Sequence, residues 1–386
     1  MNLKGVIKEN FFFLLSILLF LLLSVNHSFS TKTQLNFDGD TPVFVRVKSY
    51  PVVKGVSQMF NAEYIEQGTV HRVQIITIMD NIFNINDLLL IKVKNKSQLN
   101  SFNQYSELEA KIYYPEILIQ LDGGGILNKI GILRNNLLEE INRRWHGRNA
   151  ALLAGLLIGA DYDYSPDVTN MFKATLTMHI LVVSGFNVGF INSIIMKISP
   201  LIGRRKNYLI SIIIISLYTF IVGIDNIPCQ RAFIMIMVEI MARLAERRIQ
   251  RPQLWGITLI IILLINPDCV DDISMHLSFL ASFAVLIHGY IKEKIKTNWI
   301  IEGMIVTLLC NIFTLPILLQ FGNKPTIGSL ITNIFIAPFI PAAMILGGAS
   351  IFITIISPQT AGILSMLTDL ILELIFLIVF WGTIIN

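Results

Sequence analysis

Three polar side chains, His179, Ser184 and Asn187, interrupt an otherwise apolar run, Met178-His179-Ile180-Leu181-Val182-Val183-Ser184-Gly185-Phe186-Asn187-Val188-Gly189. An imidazole, a hydroxyl and a carboxamide can bind a passing polar solute or, in closer array, activate a nucleophile. On an unbroken helix they would not meet: Asn187 lies about 60° and His179 about 140° from Ser184. They converge only if the helix breaks, and Ser184-Gly185 is the least costly place, since glycine accepts non-helical backbone. Polar groups at bilayer depth are expensive and are kept where they are used. The break therefore reads as the polar lining of a water-filled path, where irregular backbone can be solvated. The other reading is structural, with Ser184 bonded back to its own helix and His179 and Asn187 tying neighbouring helices together.

Arg231 follows a proline in Ile227-Pro228-Cys229-Gln230-Arg231-Ala232, at the mouth of an apolar run. A guanidinium there suits an anion held near an entrance, or a side chain snorkelling at a helix end. Glu239 sits deeper in the same run, where it is expected to be protonated or paired, with Arg243 one turn later as a candidate partner. Ser278, in His276-Leu277-Ser278-Phe279, is a further polar group at a span start, with helix packing as its plainest role. The three cysteines, Cys229, Cys269 and Cys310, lack CxxC spacing and read as small core residues. The six histidines show no metal-ligand spacing, so neither a metal nor another cofactor is expected.

The elements that must position these groups belong to a membrane protein. The 386 residues are 54% hydrophobic and only 15% charged, too apolar for an ordinary soluble domain. Mean hydropathy is +0.65. Runs such as Asn207–Ile224 hold no charge and are long enough to cross about 30 Å of hydrocarbon. Residues 1–30 form a signal anchor or a cleaved signal peptide, with Lys4 and Lys8 ahead of the apolar stretch Phe11–Leu23. Residues 31–125 alternate apolar and polar positions, as in Val43–Val47, Val73–Ile78, Leu88–Val93 and Ala110–Tyr114. This predicts four to six strands of a small exterior β-barrel. Between residues 31 and 146 stand 13 Lys/Arg and 12 Asp/Glu, a balance that does not support a strong DNA-binding surface there. Residues 126–175 turn helical, and Ala150–Gly159 is too short to span, which predicts interfacial or re-entrant helices on the outer surface, the other reading being amphipathic core helices of a soluble linker.

Residues 176–386 read as a helical bundle, with spans near Leu176–Met196, Tyr208–Ile224, Ala232–Leu244, Leu254–Ile265, Leu277–Ile291, Ile300–Leu319, Leu330–Ile356 and Ala361–Ile385. The fold class is thus an α-helical polytopic membrane protein of about eight to nine spans with an N-terminal exterior β domain. Charge supports one orientation. Lys197 with Arg204, Arg205 and Lys206, then Arg243, Arg247, Arg248 and Arg251, then Lys292, Lys294 and Lys296 mark alternate loops as basic. Basic loops stay cytoplasmic, which places the N-terminus inside and the β domain outside, in the cell inner membrane.

These motifs together resemble the ComEC family of competence proteins, which pass single-stranded DNA inward during natural transformation. His179, Ser184, Gly185, Asn187, Val188 and Gly189 match the family's signature, with Asn187 where a second His is usual. Leu152–Gly159 resembles its small-residue helix, Gln230-Arg231-Ala232 with Met235 and Met237 its Arg-Ala-Met helix, and Asn266-Pro267 with Leu277-Ser278-Phe279 its later segment, where His276 stands in place of Gln. The resemblance runs from about Ile126 to the C-terminus and implies that the exterior domain is OB-like. No His-x-His-x-Asp-His motif occurs, so the form resembled lacks the C-terminal metallo-β-lactamase-like domain. A separate nuclease and a cytoplasmic translocation motor are then the implied partners, beside single-stranded DNA and the bilayer.

The leading expectation is accordingly a channel and not an enzyme, with His179, Ser184, Gly185, Asn187, Arg231 and Ser278 along the DNA path. Two other functions stay open. An intramembrane serine hydrolase would use Ser184 with His179, although position 182 is Val where a rhomboid-like Gly-x-Ser-Gly needs glycine. A small-solute transporter or scaffold is the other, although no internal repeat is evident.

Overall fold

The computed structural model describes residues 13, 15–17, 19, 20, 42–54, 56–66, 69–78, 83–93, 99–101, 110–121, 123–162, 164–197, 199–294, 299–320 and 326–385. It is mostly helical, with a curled N-terminal sheet. The expected signal anchor or signal peptide, residues 1–30, lies largely outside these residues. Of that stretch, Phe13 packs on Trp255 and Phe283, with ring centroids 5.4 and 6.0 Å apart.

Eight strands are described: β1 Val43–Val47, β2 Val52–Lys54, β3 Ser57–Glu66, β4 Thr69–Ile78, β5 Leu88–Lys92, β6 Leu99–Ser101, β7 Ala110–Tyr113 and β8 Glu116–Leu121. The order is β6-β7-β4-β3-β1-β5-β8, with β2 on β3 and only the β4–β7 pair parallel. Among the described residues this is an open path that curls into a half-barrel. Alternation sets the inner face: Val45, Val47, Phe60, Ala62, Val73, Ile75, Leu89 and Ile91 are buried together. The sequence pattern indicated four of these strands. It missed the short β2 and β6, β3, whose inward positions include Gln58 and Ala62, and β8, where five of six side chains are exposed.

Thirteen helices follow among the described residues. They are α1 Gly125–Arg144, α2 Gly147–Ile158, α3 Pro166–Ala174, α4 Gly185–Lys197, α5 Ser199–Ile202, α6 Arg204–Val222, α7 Ile227–Leu244, α8 Arg251–Ile265, α9 Ile273–Lys294, α10 Trp299–Gln320, α11 Ile327–Ile336, α12 Phe339–Ile353 and α13 Pro358–Ile384. Five stretches are long and apolar enough to cross a membrane: Arg204–Val222, Ile273–Lys292, Ile301–Gln320, Ile327–Ile353 and Pro358–Ile384. Helices α2 and α8 are apolar but shorter. Local chemistry fixes several starts. The side chains of Ser165, Asn226 and Ser357 accept from backbone N–H groups of the first turns of α3, α7 and α13, each with Pro at an early position. Thr326 and Ser329 close a reciprocal capping box on α11.

Helix α2 occupies the centre. Every residue from Asn149 to Leu156 is buried, and α2 packs against α1, α12 and α13. It does not lie on an outer surface, as one of the two expectations for it held. Small residues permit the approach: a Cβ on Gly347 would strike the Leu153 side chain. The sheet meets the bundle where α6 ends and α7 begins. Tyr50 Oη donates to the Phe220 carbonyl at 3.1 Å, and its ring edge lies against Gly223. Asp87, buried at the base of the sheet, accepts from Asn128 of α1 at 3.0 Å and from Gln120 of β8 at 3.1 Å.

Candidate functional site

The expected span Leu176–Met196 is not one helix. Helix α3 ends in a Schellman motif: Leu176 N–H donates to the Lys173 carbonyl and Thr177 N–H to the Phe172 carbonyl. Glycine usually takes the left-handed position of this motif, but here Leu176 does, at φ 54°. That backbone costs a branched side chain about 1 kcal/mol. Buried Thr175 and Thr177 share a 2.7 Å hydroxyl hydrogen bond beside it. A single 3₁₀ turn, Met178–Ile180, follows, and regular helix resumes only at Gly185.

Helix α2 clamps the interruption at two points. Gly155 lies directly under the Leu181 carbonyl, closer than any Cβ would allow. Asn187 Nδ2 donates to the Leu156 carbonyl at 2.9 Å, and its Oδ1 accepts from Ser184 Oγ at 3.1 Å. The Leu156 carbonyl belongs to the last turn of α2, where no intrahelical donor is available. Asn187 is 2% exposed, so its carboxamide is committed to fastening the break. Asn226, which caps α7, also reaches the Val183 carbonyl at 3.4 Å.

Arg231 faces the resumed helix from α7. Its Nη2 stands 2.7 Å from where a Cβ of Gly185 would be, with the Pro228 carbonyl at 3.1 Å. Its Nε donates to Ser278 Oγ of α9 at 2.8 Å, and its guanidinium lies 6.0 Å from the Phe279 ring centre. Three of the expected path residues, Gly185, Arg231 and Ser278, are therefore in one place. Among the described residues Arg231 makes no ion pair with a carboxylate. Its position in the second turn of α7 puts a cation near the helix end that already carries partial positive charge. Such a cluster stabilises an anion.

His179 stands apart from this cluster. It is exposed on the 3₁₀ turn and hydrogen-bonds the backbone of Leu176. No hydrogen bond joins it to Ser184 among the described residues, where Ser184 Oγ is directed at Asn187. Glu239 pairs with Arg243 at 2.6 Å as expected, away from Arg231. Cys229, Cys269 and Cys310 form no disulfide among the described residues. His276 is directed at the Val270 carbonyl, 2.6 Å away. Among the described residues no three His, Cys, Asp or Glu side chains are grouped to hold a metal.

Sequence reasoning did not single out Gly155 by itself, nor Arg134. Arg134, on α1 and only 4% exposed, donates to the carbonyls of Ile158, Gly159 and Ile221. These are orphan acceptors at the C-terminal ends of α2 and α6, and one guanidinium serves both helices. It also lies over the Tyr50 ring at 4.2 Å, linking sheet and bundle. Burial pushes the Tyr50 phenol above its ordinary range, and the Arg134 charge opposes that rise. An arginine 24 and 25 residues from its acceptors at one helix end and 87 from its acceptor at the other follows no short spacing rule, which is why the sequence left it silent.

A family model described as Competence protein matches residues 156–383. ComE operon protein 3 of Bacillus subtilis (strain 168) is 24% identical over 213 residues, which are 55% of this chain and 27% of that protein. The match thus spans about a quarter of the relative's length. No solved structure matches.

Proposed function

Because the chain belongs to the competence protein family, whose role is in DNA uptake, we propose that it forms a membrane channel for single-stranded DNA. The observation that carries the proposal is the interruption from Leu176 to Ser184, with Arg231 and Ser278 drawn to the point where helix resumes. A strand of like charges needs scattered positive and hydrogen-bonding groups, each weak enough to release it. Arg231 and the exposed His179 and Val182 provide such a surface on the sheet side of the bundle. On this reading Gly185 lets the guanidinium lie against the start of the resumed helix, Ser278 orients it, and Ser184 and Asn187 keep the break open. The Ser184 hydroxyl, directed at the Asn187 carboxamide, supports conduction over hydrolysis on this reading.

In the proposed arrangement the chain sits in the cell inner membrane with the curled sheet outside as an OB-like module. Basic Arg204, Arg205 and Lys206 begin α6 at the end away from the sheet, which favours that end as cytoplasmic. Helices α4, α7 and α8 and the N-terminal apolar segment join the five long stretches to give about eight or nine membrane segments, with α1–α2 as a re-entrant hairpin. A cytoplasmic translocation motor would draw the strand through.

The test is entry of labelled DNA into cells that have the chain, lack it, or carry Arg231→Glu. Loss of entry in the second and a strong reduction in the third support a channel. Equal entry in all three removes the proposal. Ser184→Ala separates conduction from hydrolysis, since it would abolish a serine hydrolase and only reduce DNA flux.

A further inference from the structure

The longest apolar helix carries two carboxylates near its centre. Asp369 and Glu373 lie one turn apart in α13, and Glu373 is about 22 Å from one helix end and about 16 Å from the other. They meet the elbow between α1 and α2. Arg144 of α1 donates to Ser365 Oγ at 3.5 Å and to Thr354 Oγ1, and Trp145 Nε1 donates to the Ser365 carbonyl at 3.2 Å. One turn further along α13, Asn149 Nδ2 donates to Asp369 Oδ1 at 2.9 Å and to Glu373 Oε1 at 3.0 Å. Arg148 then pairs with the other oxygen of Glu373 at 2.5 Å, its guanidinium 4.6 Å from the Phe376 ring centre.

The exposure of this pair decides its meaning. Both side chains are 49% accessible, although they sit mid-length on a helix apolar enough to span. A half-exposed ion pair at that depth cannot face hydrocarbon, because an ionised group there costs several kcal/mol. It must face water. That exposure points to a wet path along the α2–α13 seam, beside the one proposed at Gly185.

We propose that Arg148 is a phosphodiester contact in that path and that Glu373 is its exchangeable counter-ion. The inference rests on the reading that the chain conducts single-stranded DNA. Glu373 stays anchored through Asn149 when the guanidinium turns away, so the carboxylate can release Arg148 to a passing phosphate and recapture it afterwards. Exposed Arg143 repeats the arrangement on the same elbow, paired with Glu140 at 2.7 Å. Each cation thus has a resident competitor, and this holds affinity for the strand low enough for release.

The experiment measures binding of fluorescent oligothymidylate by the full chain in lipid vesicles across a salt series. Arg148→Gln should weaken binding and reduce the slope of log affinity against log salt by about 0.7, one lost phosphate contact on a single strand. Arg148→Lys keeps the charge and should keep the slope. Glu373→Gln removes the competitor and should tighten binding about fivefold, the scale of a half-exposed ion pair. If Glu373→Gln weakens binding as Arg148→Gln does, or Arg148→Gln leaves the slope unchanged, the pair only fastens helices and the inference fails. Melting profiles of the variants identify any that are misfolded, and the Lys variant then decides. Wild-type chain that binds no oligothymidylate overturns the channel reading itself, whereas normal binding with an unaltered slope overturns only the role of Arg148.

Discussion

The α-carbon of Gly155 and the carbonyl oxygen of Leu181 are packed so closely that no side chain fits between them. This contact sets the interrupted segment against the buried helix α2. Gly155→Ala should force the two apart and cost about 1–3 kcal/mol, as overpacked cores do. The expected readout is a lower melting temperature together with reduced DNA entry. Normal entry and stability would show that the break needs no support from α2.

Asn187 fastens the same segment from the other side of the interruption. Asn187→Ala leaves the Leu156 carbonyl without a donor, at a cost of about 1–3 kcal/mol. Denaturation in detergent should show this loss. Ser184→Ala removes only the bond to Asn187 Oδ1 and should be milder, roughly 1 kcal/mol.

Arg134 joins three elements at once. Arg134→Met strands the carbonyls of Ile158, Gly159 and Ile221, and the expected destabilisation is about 3 kcal/mol or more. Arg134→Lys should recover only part of it, because an ammonium lacks the fork that reaches two helix ends. Thermal melts of both variants check the order. Full recovery by Lys would reduce the role of Arg134 to its charge.

Arg231 separates charge from geometry. Arg231→Lys keeps a cation but loses the Nε bond that Ser278 accepts, so DNA entry should fall in part. Arg231→Glu should reduce entry far more, and Ser278→Ala should resemble the Lys variant. Uptake of labelled DNA ranks the three. A ranking with Ser278→Ala as the most damaging would assign the site to helix packing.

The sequence made some of this legible and not the rest, for physical reasons. The break at Ser184-Gly185 could be read because polar groups in an apolar run are costly and glycine allows irregular backbone. Strand β1 could be read from its alternation, whereas β3 is specified by ten residues of pairing with β4 that no local pattern encodes. The length of α2 was legible, but its burial comes from α12 and α13, whose residues lie some two hundred positions away. The meeting of Arg231 with Ser278, 47 residues apart, and of Arg148 with Glu373, 225 apart, is likewise set by helix packing. Asp369 and Glu373 did give a local signal, two charges one turn apart in an apolar helix, that sequence reading passed over.

The most direct measurement is photo-crosslinking to a strand in transit. A photoreactive amino acid replaces Val182, exposed in the interrupted segment, or Ile213, exposed on the outer face of α6, and labelled single-stranded DNA is trapped during uptake. Passage beside the break predicts crosslinks from position 182 and none from position 213. Crosslinks absent from 182, or equal at both positions while uptake proceeds, would contradict it.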